Sequence, residues 1–411
     1  MKTRHIFTIL FFLLASLMTF TGCNADASAG LFRQISESTT PVGIQYRQLL
    51  GKPASKLFFT TTEGIFFTDG TAATQIKVNS AESRNMAAYV DNGNNRVLFL
   101  INDPDPNSNS AKVRSVPIVP SYTESSDLTP TYAGLTSVII QNLYANGLFR
   151  IQGNDTINGK TFVLATYDDT DIAAPAFSKV IDFSEVADSL TGYSIDSVLQ
   201  MTGKEDEVLS AANPIIASFA KEDGSYKHFF TDGTFKHSFA LNTRLANFTI
   251  LNGNAYLLTT DGKLYNAGAV PTADGTTTIS SSNLMISSNK VYDANAFMYG
   301  VPYATGSTNH IITKSKSSSD PLYVLSFADS ATTASGESIR YGYGEYLDSA
   351  EIVSTLYLGS NSGIDTLLIA TNENGLFKIG IKVDTANQNS SNNGRSSQSE
   401  EYQDFTLYST L

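Results

Sequence analysis

Few side chains of this sequence have the types and spacing that catalysis or metal binding requires. The histidines are His5, His228, His237 and His310, and no two of them, nor any cysteine pair, have the spacing of a metal-binding motif. His228 and His237 flank a predicted hairpin, where surface strand positions are the favoured interpretation. His310 has no nucleophile motif near it, so a catalytic triad is not predicted. We therefore predict no catalytic residue, no metal site and no cofactor.

One acidic run has part of the pattern of a calcium loop. Asp103, Asp105, Asn107 and Asn109 alternate as the first ligands of such a loop do. The sixth position, which needs a glycine, is Ser108, and the closing glutamate is replaced by an arginine. A plain hairpin loop is therefore the favoured interpretation.

An aromatic run offers the best candidate for a binding surface. Residues 340–346 read RYGYGEY, and alternate residues of a strand point to the same face. Tyrosines next to glycine and charge are typical of binding surfaces, although packing between repeated units would also explain them. The candidate binding surface consists of Arg340, Tyr341, Tyr343 and Tyr346.

The single cysteine, Cys23, suggests covalent modification. It follows two basic residues, an apolar run over 6–20 that is short for a membrane span, and small residues, which together indicate an export signal. The run FTGC resembles the lipobox of bacterial lipoproteins. That resemblance implies a lipid on Cys23 that holds the protein at a membrane of the bacterial cell envelope, with the outer membrane favoured. An ordinary cleavage site beside a chance cysteine is the alternative.

Composition divides the chain into few parts. We predict a lipoprotein signal peptide at 1–22, a flexible tether at 23–40 and one domain at 41–411, with a disordered polar loop at 384–400. The 39 acidic residues outnumber the 27 basic residues. Nucleic acid is therefore not a predicted partner, since it requires clustered lysine and arginine.

A repeated phrase reveals the architecture. FFTDGT occurs at 66–71 and 229–234, each time between apolar runs, and Asp-Gly between such runs is a strong hairpin signal. Related hairpins occur at 254–268 and 365–383. Similar turns recur about every 52 residues, near Gly64, Asn107, Thr170, Gly224, Gly262, Ser317 and Gly375.

Four strands per unit at this period predict an all-β protein. We expect a β-propeller of about seven four-stranded blades, with six or eight left open. The final run at 405–411 is expected to pair into the first or the last blade. The hairpins AYLLTTDGKLYNAG and TLLIATNENGLFKIG resemble repeats of quinoprotein-type and sensor-type propellers, which implies the same architecture.

Two classes of function fit this prediction. The first is a non-enzymatic protein-interaction or scaffold module that binds an envelope protein or peptide. The alternative is a carbohydrate-binding protein, or a hydrolase or lyase, with a site at the mouth of the central channel. Three or more Asp, Glu, Arg or Tyr side chains at one mouth would favour the alternative. A bare mouth with an aromatic outer patch would favour the first.

Overall fold

The structure is a computed structural model that describes most of the chain after the predicted tether. Cys23 and the candidate binding surface of Arg340, Tyr341, Tyr343 and Tyr346 lie outside the described residues, as do residues 384–398. The described residues are 45–52, 56–69, 73–76, 87–103, 110–118, 125–155, 159–168, 175–287, 290–301, 308–316, 320–328, 331–339, 350–361, 363–372, 375–383, 399–401 and 405–409.

Seven sheets follow one another along this part of the chain, so the fold is an all-β propeller of seven blades. Blade 1 contains strands β1–β4, at Tyr46–Gly51, Leu57–Thr61, Gly64–Thr68 and Ala73–Ile76. Blade 2 contains β5–β7, at Ala88–Asp91, Arg96–Asn102 and Ala111–Pro117. Blade 3 contains β8–β11, at Leu135–Leu143, Phe149–Asp155, Gly159–Asp168 and Ala176–Asp182.

The next two blades share a connection. Blade 4 contains β12–β15, at Tyr193–Gln200, Ile215–Lys221, Tyr226–Thr231 and His237–Ala240. Blade 5 contains β16–β18 and β20, at Leu245–Leu251, Asn254–Thr259, Lys263–Ala269 and Leu284–Ser287. Between β18 and β20 the chain returns to blade 4, where Gly275–Thr278 (β19) pairs in parallel with β15 at the outer edge.

The last two blades complete the ring. Blade 6 contains β21–β24, at Met298–Val301, Thr308–Lys314, Leu322–Ala328 and Ser335–Ile339. Blade 7 contains β25–β29, at Ile352–Asn361, Ile364–Thr371, Leu376–Val383, Ser399–Glu401 and Phe405–Ser409. The final strand β29 pairs with β27. The final run of the sequence therefore belongs to the last blade and not to the first.

Packing between blades explains the continuous apolar runs of the sequence. Each residue of β2 is buried, because the two faces of a blade are covered by its neighbours. Phe58 of blade 1 and Phe99 of blade 2 belong to one core cluster. Leu49 of blade 1 packs in another cluster with Leu356 of blade 7. The ring therefore closes through side-chain packing between its first and last blades.

The repeated phrase has the same position in two blades. FFTDGT ends the third strand, β3 or β14, in blades 1 and 4. In blade 4, Oδ1 of Asp232 accepts hydrogen bonds from the backbone N–H and the hydroxyl of Thr234, at 2.9 and 2.7 Å. Gly233 has a φ of +104°, which favours glycine. Asp232 is therefore a turn residue.

Six of the seven predicted turns join the second strand of a blade to its third. The prediction near Thr170 is different, because it falls between β10 and β11, the third and fourth strands of blade 3. That turn contains the acidic residues Asp168, Asp169 and Asp171. The described helices are two short 3-10 segments, Ser184–Leu190 and Ser281–Asn283, and no described helix is long and apolar enough to span a membrane.

Candidate functional site

A cavity of about 300 Å³ lies on the axis of the ring. The first strands of neighbouring blades run side by side around this axis, and all seven blades contribute to the wall. Most of its polar groups are amides and hydroxyls. The lining residues are Arg47, Gln48, Ala87, Asn142, Leu143, Tyr144, Val198, Gln200, Thr202, Glu205, Asn247, Asn295, Phe297, Ile352, Val353, Ser354 and Thr355.

One loop of blade 4 crosses the channel. We call residues 201–207, which follow β12, the crossing segment. Gly203 donates its N–H to Oγ1 of Thr355 at 2.7 Å, and it accepts a hydrogen bond from the N–H of Tyr357 at 3.0 Å. Thr355 and Tyr357 belong to blade 7, which two blades separate from blade 4. A segment bonded to both blades must cross the axis.

Further hydrogen bonds fix the crossing segment to the blades in between. Oγ1 of Thr202 accepts from Nδ2 of Asn247 in blade 5 at 3.3 Å and from the N–H of Met298 in blade 6 at 3.0 Å. Both Thr202 and Gly203 are buried. Its partners Asn247 and Met298 lie near the amino ends of β16 and β21, so the segment reaches into the channel between the first strands.

Glu205 places a carboxyl group against the cavity. Oε1 accepts a hydrogen bond from the hydroxyl of Thr355, whereas Oε2 is a buried atom without a hydrogen-bond partner. Burial raises the pKa of Glu205 to about 8, and the Thr355 hydrogen bond opposes that rise only in part. The carboxyl group is consequently mostly protonated at neutral pH.

The neighbouring acid behaves similarly. Burial raises the pKa of Asp206 to about 6. Its side chain lies against Gly51 at the end of β1, where an added Cβ would come within 3.1 Å of Oδ2. The φ of Gly51 is +115°, a second reason for glycine at this position. The crossing segment thus reaches blade 1 as well.

Bulges in the first strands shape the polar wall. The register of β8 shifts between Ile140 and Asn142, and that of β16 shifts between Leu245 and Asn247. In both strands the asparagine Oδ1 accepts the N–H of the following residue, at 2.9 Å for Asn142 and 2.7 Å for Asn247. Bulges in two blades therefore each present an asparagine to the cavity, as β-bulges near binding sites commonly do.

The histidines have structural positions. His228 is fully buried, its Nδ1 lies 2.8 Å from Oγ of Ser218, and its Nε2 lies 2.9 Å from the carbonyl oxygen of Thr243. Burial lowers the pKa of His228 to about 4. The surface interpretation was therefore wrong for this residue, because its strand is covered on both faces. His237 contacts Ala273 and Thr277 beside the returning strand β19.

The acidic run considered for calcium is described only in part. Asp103 forms an ion pair with Lys112 at 3.4 Å, and residues 104–109 lie outside the described ranges. Among the residues that the structure describes, no three His, Cys, Asp or Glu side chains converge as a metal site.

A larger groove of about 890 Å³ runs along the outer part of blade 4. Aromatic residues and two lysines border it, and Nζ of Lys227 lies 5.0 Å from the ring centre of Tyr193. Its lining residues are Val186, Ser189, Tyr193, Ser225, Tyr226, Lys227, Phe229, Lys236, Ser238, Phe239, Ala240, Leu241, Asn242, Asp274, Gly275 and Thr276.

Comparison with known proteins finds similarity in structure but none in sequence. No protein family and no curated protein matches the sequence. YCF48 from Cyanidioschyzon merolae is similar in structure, with a TM-score of 0.48 and 10% identity over 83% of this chain and 97% of that one. Virginiamycin B lyase from Staphylococcus aureus has a TM-score of 0.39 and 13% identity over 82% of this chain and 96% of that one. These likenesses assign no ligand.

The sequence offered a site at the channel mouth as an alternative, but it did not identify the residues that line the cavity. Its local signal is the run KEDE at 204–207, which on its own is typical of a solvated loop. Arg47, Tyr144 and Glu205 are the Arg, Tyr and Glu side chains that line the axial cavity.

Proposed function

We propose that the protein is a non-enzymatic binding module of the bacterial cell envelope that holds a small, hydroxyl-rich ligand, such as one sugar unit, in its central channel. The signal at 1–22 exports it, and a lipid on Cys23 anchors it to the membrane. The observation that carries the proposal is the polar axial cavity to which every blade contributes.

The size of the cavity supports this ligand class. A volume of about 300 Å³ is at the lower end of the range for ligand pockets. It suits a single ring rather than a folded partner or a long polymer. The crossing segment, hydrogen-bonded to blades 5, 6 and 7, would prevent a chain from threading through the ring.

The chemistry of the wall supports it as well. Amide side chains such as Gln48 and Asn142 carry both donors and acceptors, and the hydroxyl of Ser354 does too. Sugar hydroxyls also donate and accept, so such a wall can pair with them in several orientations. Apolar side chains such as Val198 and Phe297 complete the wall and suit the C–H faces of a sugar ring.

The binding test uses calorimetry on the full chain with a panel of monosaccharides. Gln48→Leu removes a polar group from the cavity and is expected to weaken binding at least tenfold. Gln75→Leu is the matched control, because Gln75 lies exposed on β4 of the same blade. Binding that is equally weakened by both variants, or absent for every sugar, would reject the channel as the site.

The anchoring test is separate. In bacteria that produce the protein, Cys23→Ala should move it from the membrane fraction to the soluble fraction and abolish labelling by a fatty-acid probe. Cys23→Ala protein that still carries labelled lipid would overturn the lipoprotein proposal.

A second candidate function rests on the groove of blade 4. Its volume of about 890 Å³ and its aromatic border suit an envelope protein or peptide better than a single sugar. A photo-crosslinking residue at Ser238, in the groove, should capture such a partner in the native envelope. The control carries the photo-crosslinking residue at Thr74 instead, which is exposed on β4. Equal capture from Ser238 and from Thr74 would count against the groove.

A further inference from the structure

The cavity contains an acid without a counter-ion. Oε2 of Glu205 is buried and accepts no hydrogen bond. The other charged groups of the crossing segment do not neutralise the carboxylate charge of Glu205. Lys204 pairs with Glu207 at 2.6 Å, and Asp206 is a second acid. Across the cavity, Arg47 donates to Gln45 at 3.2 Å in an exposed position.

Much of the remaining polar wall already has partners. Nδ2 of Asn247 donates to the carbonyl oxygen of Ala296 at 2.5 Å, and Oδ1 of the same residue accepts a backbone N–H. The hydroxyl of Thr355 is used by Gly203 and by Glu205. Oε2 of Glu205 is thus the buried, unpaired acceptor among the described lining residues. A hydrogen-bond donor of the ligand would therefore contribute the most binding free energy at this oxygen.

We propose that the ligand carries a protonated amine, which binds against Oε2 of Glu205 while its hydroxyl groups contact the amide wall. The inference rests on the proposed function of the channel and specifies its ligand class, a small hydroxylated ammonium compound such as an amino sugar. A cation gains more than a neutral hydroxyl here, because charge-assisted hydrogen bonds are roughly twice as strong as neutral ones. The net charge of −12 also draws cations towards the protein.

The proton balance makes the inference measurable. Before binding, the carboxyl group of Glu205 is mostly protonated at pH 7. Binding an ammonium ion stabilises the carboxylate, so the carboxyl proton leaves to solvent and the amine keeps all its protons. With a free pKa of about 8, close to one proton per site is released at pH 7. A neutral sugar would release none.

The probes are D-glucose and three amino-glucoses that carry the amine at carbon 2, 3 or 6. Titration calorimetry of the full chain at pH 7, in two buffers of different ionisation enthalpy, gives the affinity and the proton release for each. At least one amino-glucose should bind ten times more tightly than glucose and release nearly one proton. Its affinity should also rise between pH 6 and pH 8, whereas the affinity for glucose stays level.

Two variants assign the effect to Glu205. Glu205→Gln should abolish the proton release and the preference for the amine, so that amino-glucose and glucose bind with similar affinity. Glu207→Gln, in the same segment, should keep both the preference for the amine and the proton release. Should Glu205→Gln fail to fold, the pH profile of the wild-type protein supplies the same test.

The outcomes separate the two proposals. Glucose that binds as tightly as every amino-glucose, or a preference that survives Glu205→Gln, overturns the ammonium inference and leaves the channel as a sugar site. Calcium or magnesium that binds alone and depends on Glu205 overturns it in favour of a metal ion. If no sugar binds, the proposed function fails, and the inference fails with it.

Discussion

Thr355 and Glu205 are 150 residues apart in the chain, yet the hydroxyl of Thr355 donates a hydrogen bond to the carboxyl group of Glu205. Thr355 belongs to the first strand of blade 7, and Glu205 belongs to the crossing segment of blade 4. The contact joins two blades that do not touch as neighbours, and it holds the acid against the cavity. The contact therefore helps to position the acid of the candidate site.

The first prediction concerns Thr355. Thr355→Val removes the donor to Glu205 and the acceptor of Gly203 N–H, so two buried polar groups lose a partner. We expect a loss of about 1–3 kcal/mol in the free energy of unfolding, measured in urea. Thr74→Val, at an exposed position of β4, should change it by less than about 0.5 kcal/mol. Equal effects of the two substitutions would show that the contact contributes nothing.

The second prediction concerns the pH dependence of stability. The folded pKa of Glu205 is about 8, above its ordinary value of 4.5, so the folded state holds its proton more tightly than the unfolded state. The resulting stabilisation is complete below pH 4.5 and is lost as the pH rises through 8. Asp206 adds the same trend up to about pH 6. Urea midpoints from pH 5 to 9 should fall less steeply for Glu205→Gln than for wild type. Parallel profiles would contradict the burial of this acid.

The third prediction concerns Gly203. Its φ is +81°, and an added Cβ would come within 2.9 Å of Cδ2 of Leu367. Gly224 has a φ of +82° with open space around it. Gly224→Ala therefore measures the cost of backbone strain without a steric clash. Gly224→Ala should cost about 1 kcal/mol, whereas Gly203→Ala should cost at least about 1 kcal/mol more. Thermal unfolding of both variants gives the comparison, and similar losses would mean that Leu367 moves aside freely.

The fourth prediction concerns His228. Its pKa of about 4 lies below the ordinary 6.5 because the ring is buried. The stabilisation from the neutral ring is therefore present above pH 6.5 and is lost as the pH falls towards 4. In NMR titrations the ring resonances of His228, assigned by comparison with His228→Gln, should not shift between pH 8 and pH 5. A midpoint near 6.5 would place the ring in solvent instead.

The sequence determined the blades because their signals are local. An apolar run followed by Asp-Gly specifies a strand and its turn, so FFTDGT was correctly assigned to a hairpin in two blades three units apart. The hairpins predicted at 254–268 and 365–383 also form, as β17–β18 of blade 5 and β26–β27 of blade 7. The turn predicted near Thr170 also exists, although it joins the third strand of blade 3 to the fourth rather than the second to the third.

The candidate site was decided by the tertiary structure alone. KEDE at 204–207 contains four charged residues, and nothing near them in the chain predicts burial. Only when the ring closes does Thr355 lie opposite blade 4, and only then does Glu205 lose its water. Desolvation of Glu205 depends on residues far away in the chain, such as Thr355, whereas strands and turns depend on a few consecutive residues. The sequence therefore determined the propeller, and ring closure created the polar cavity on its axis.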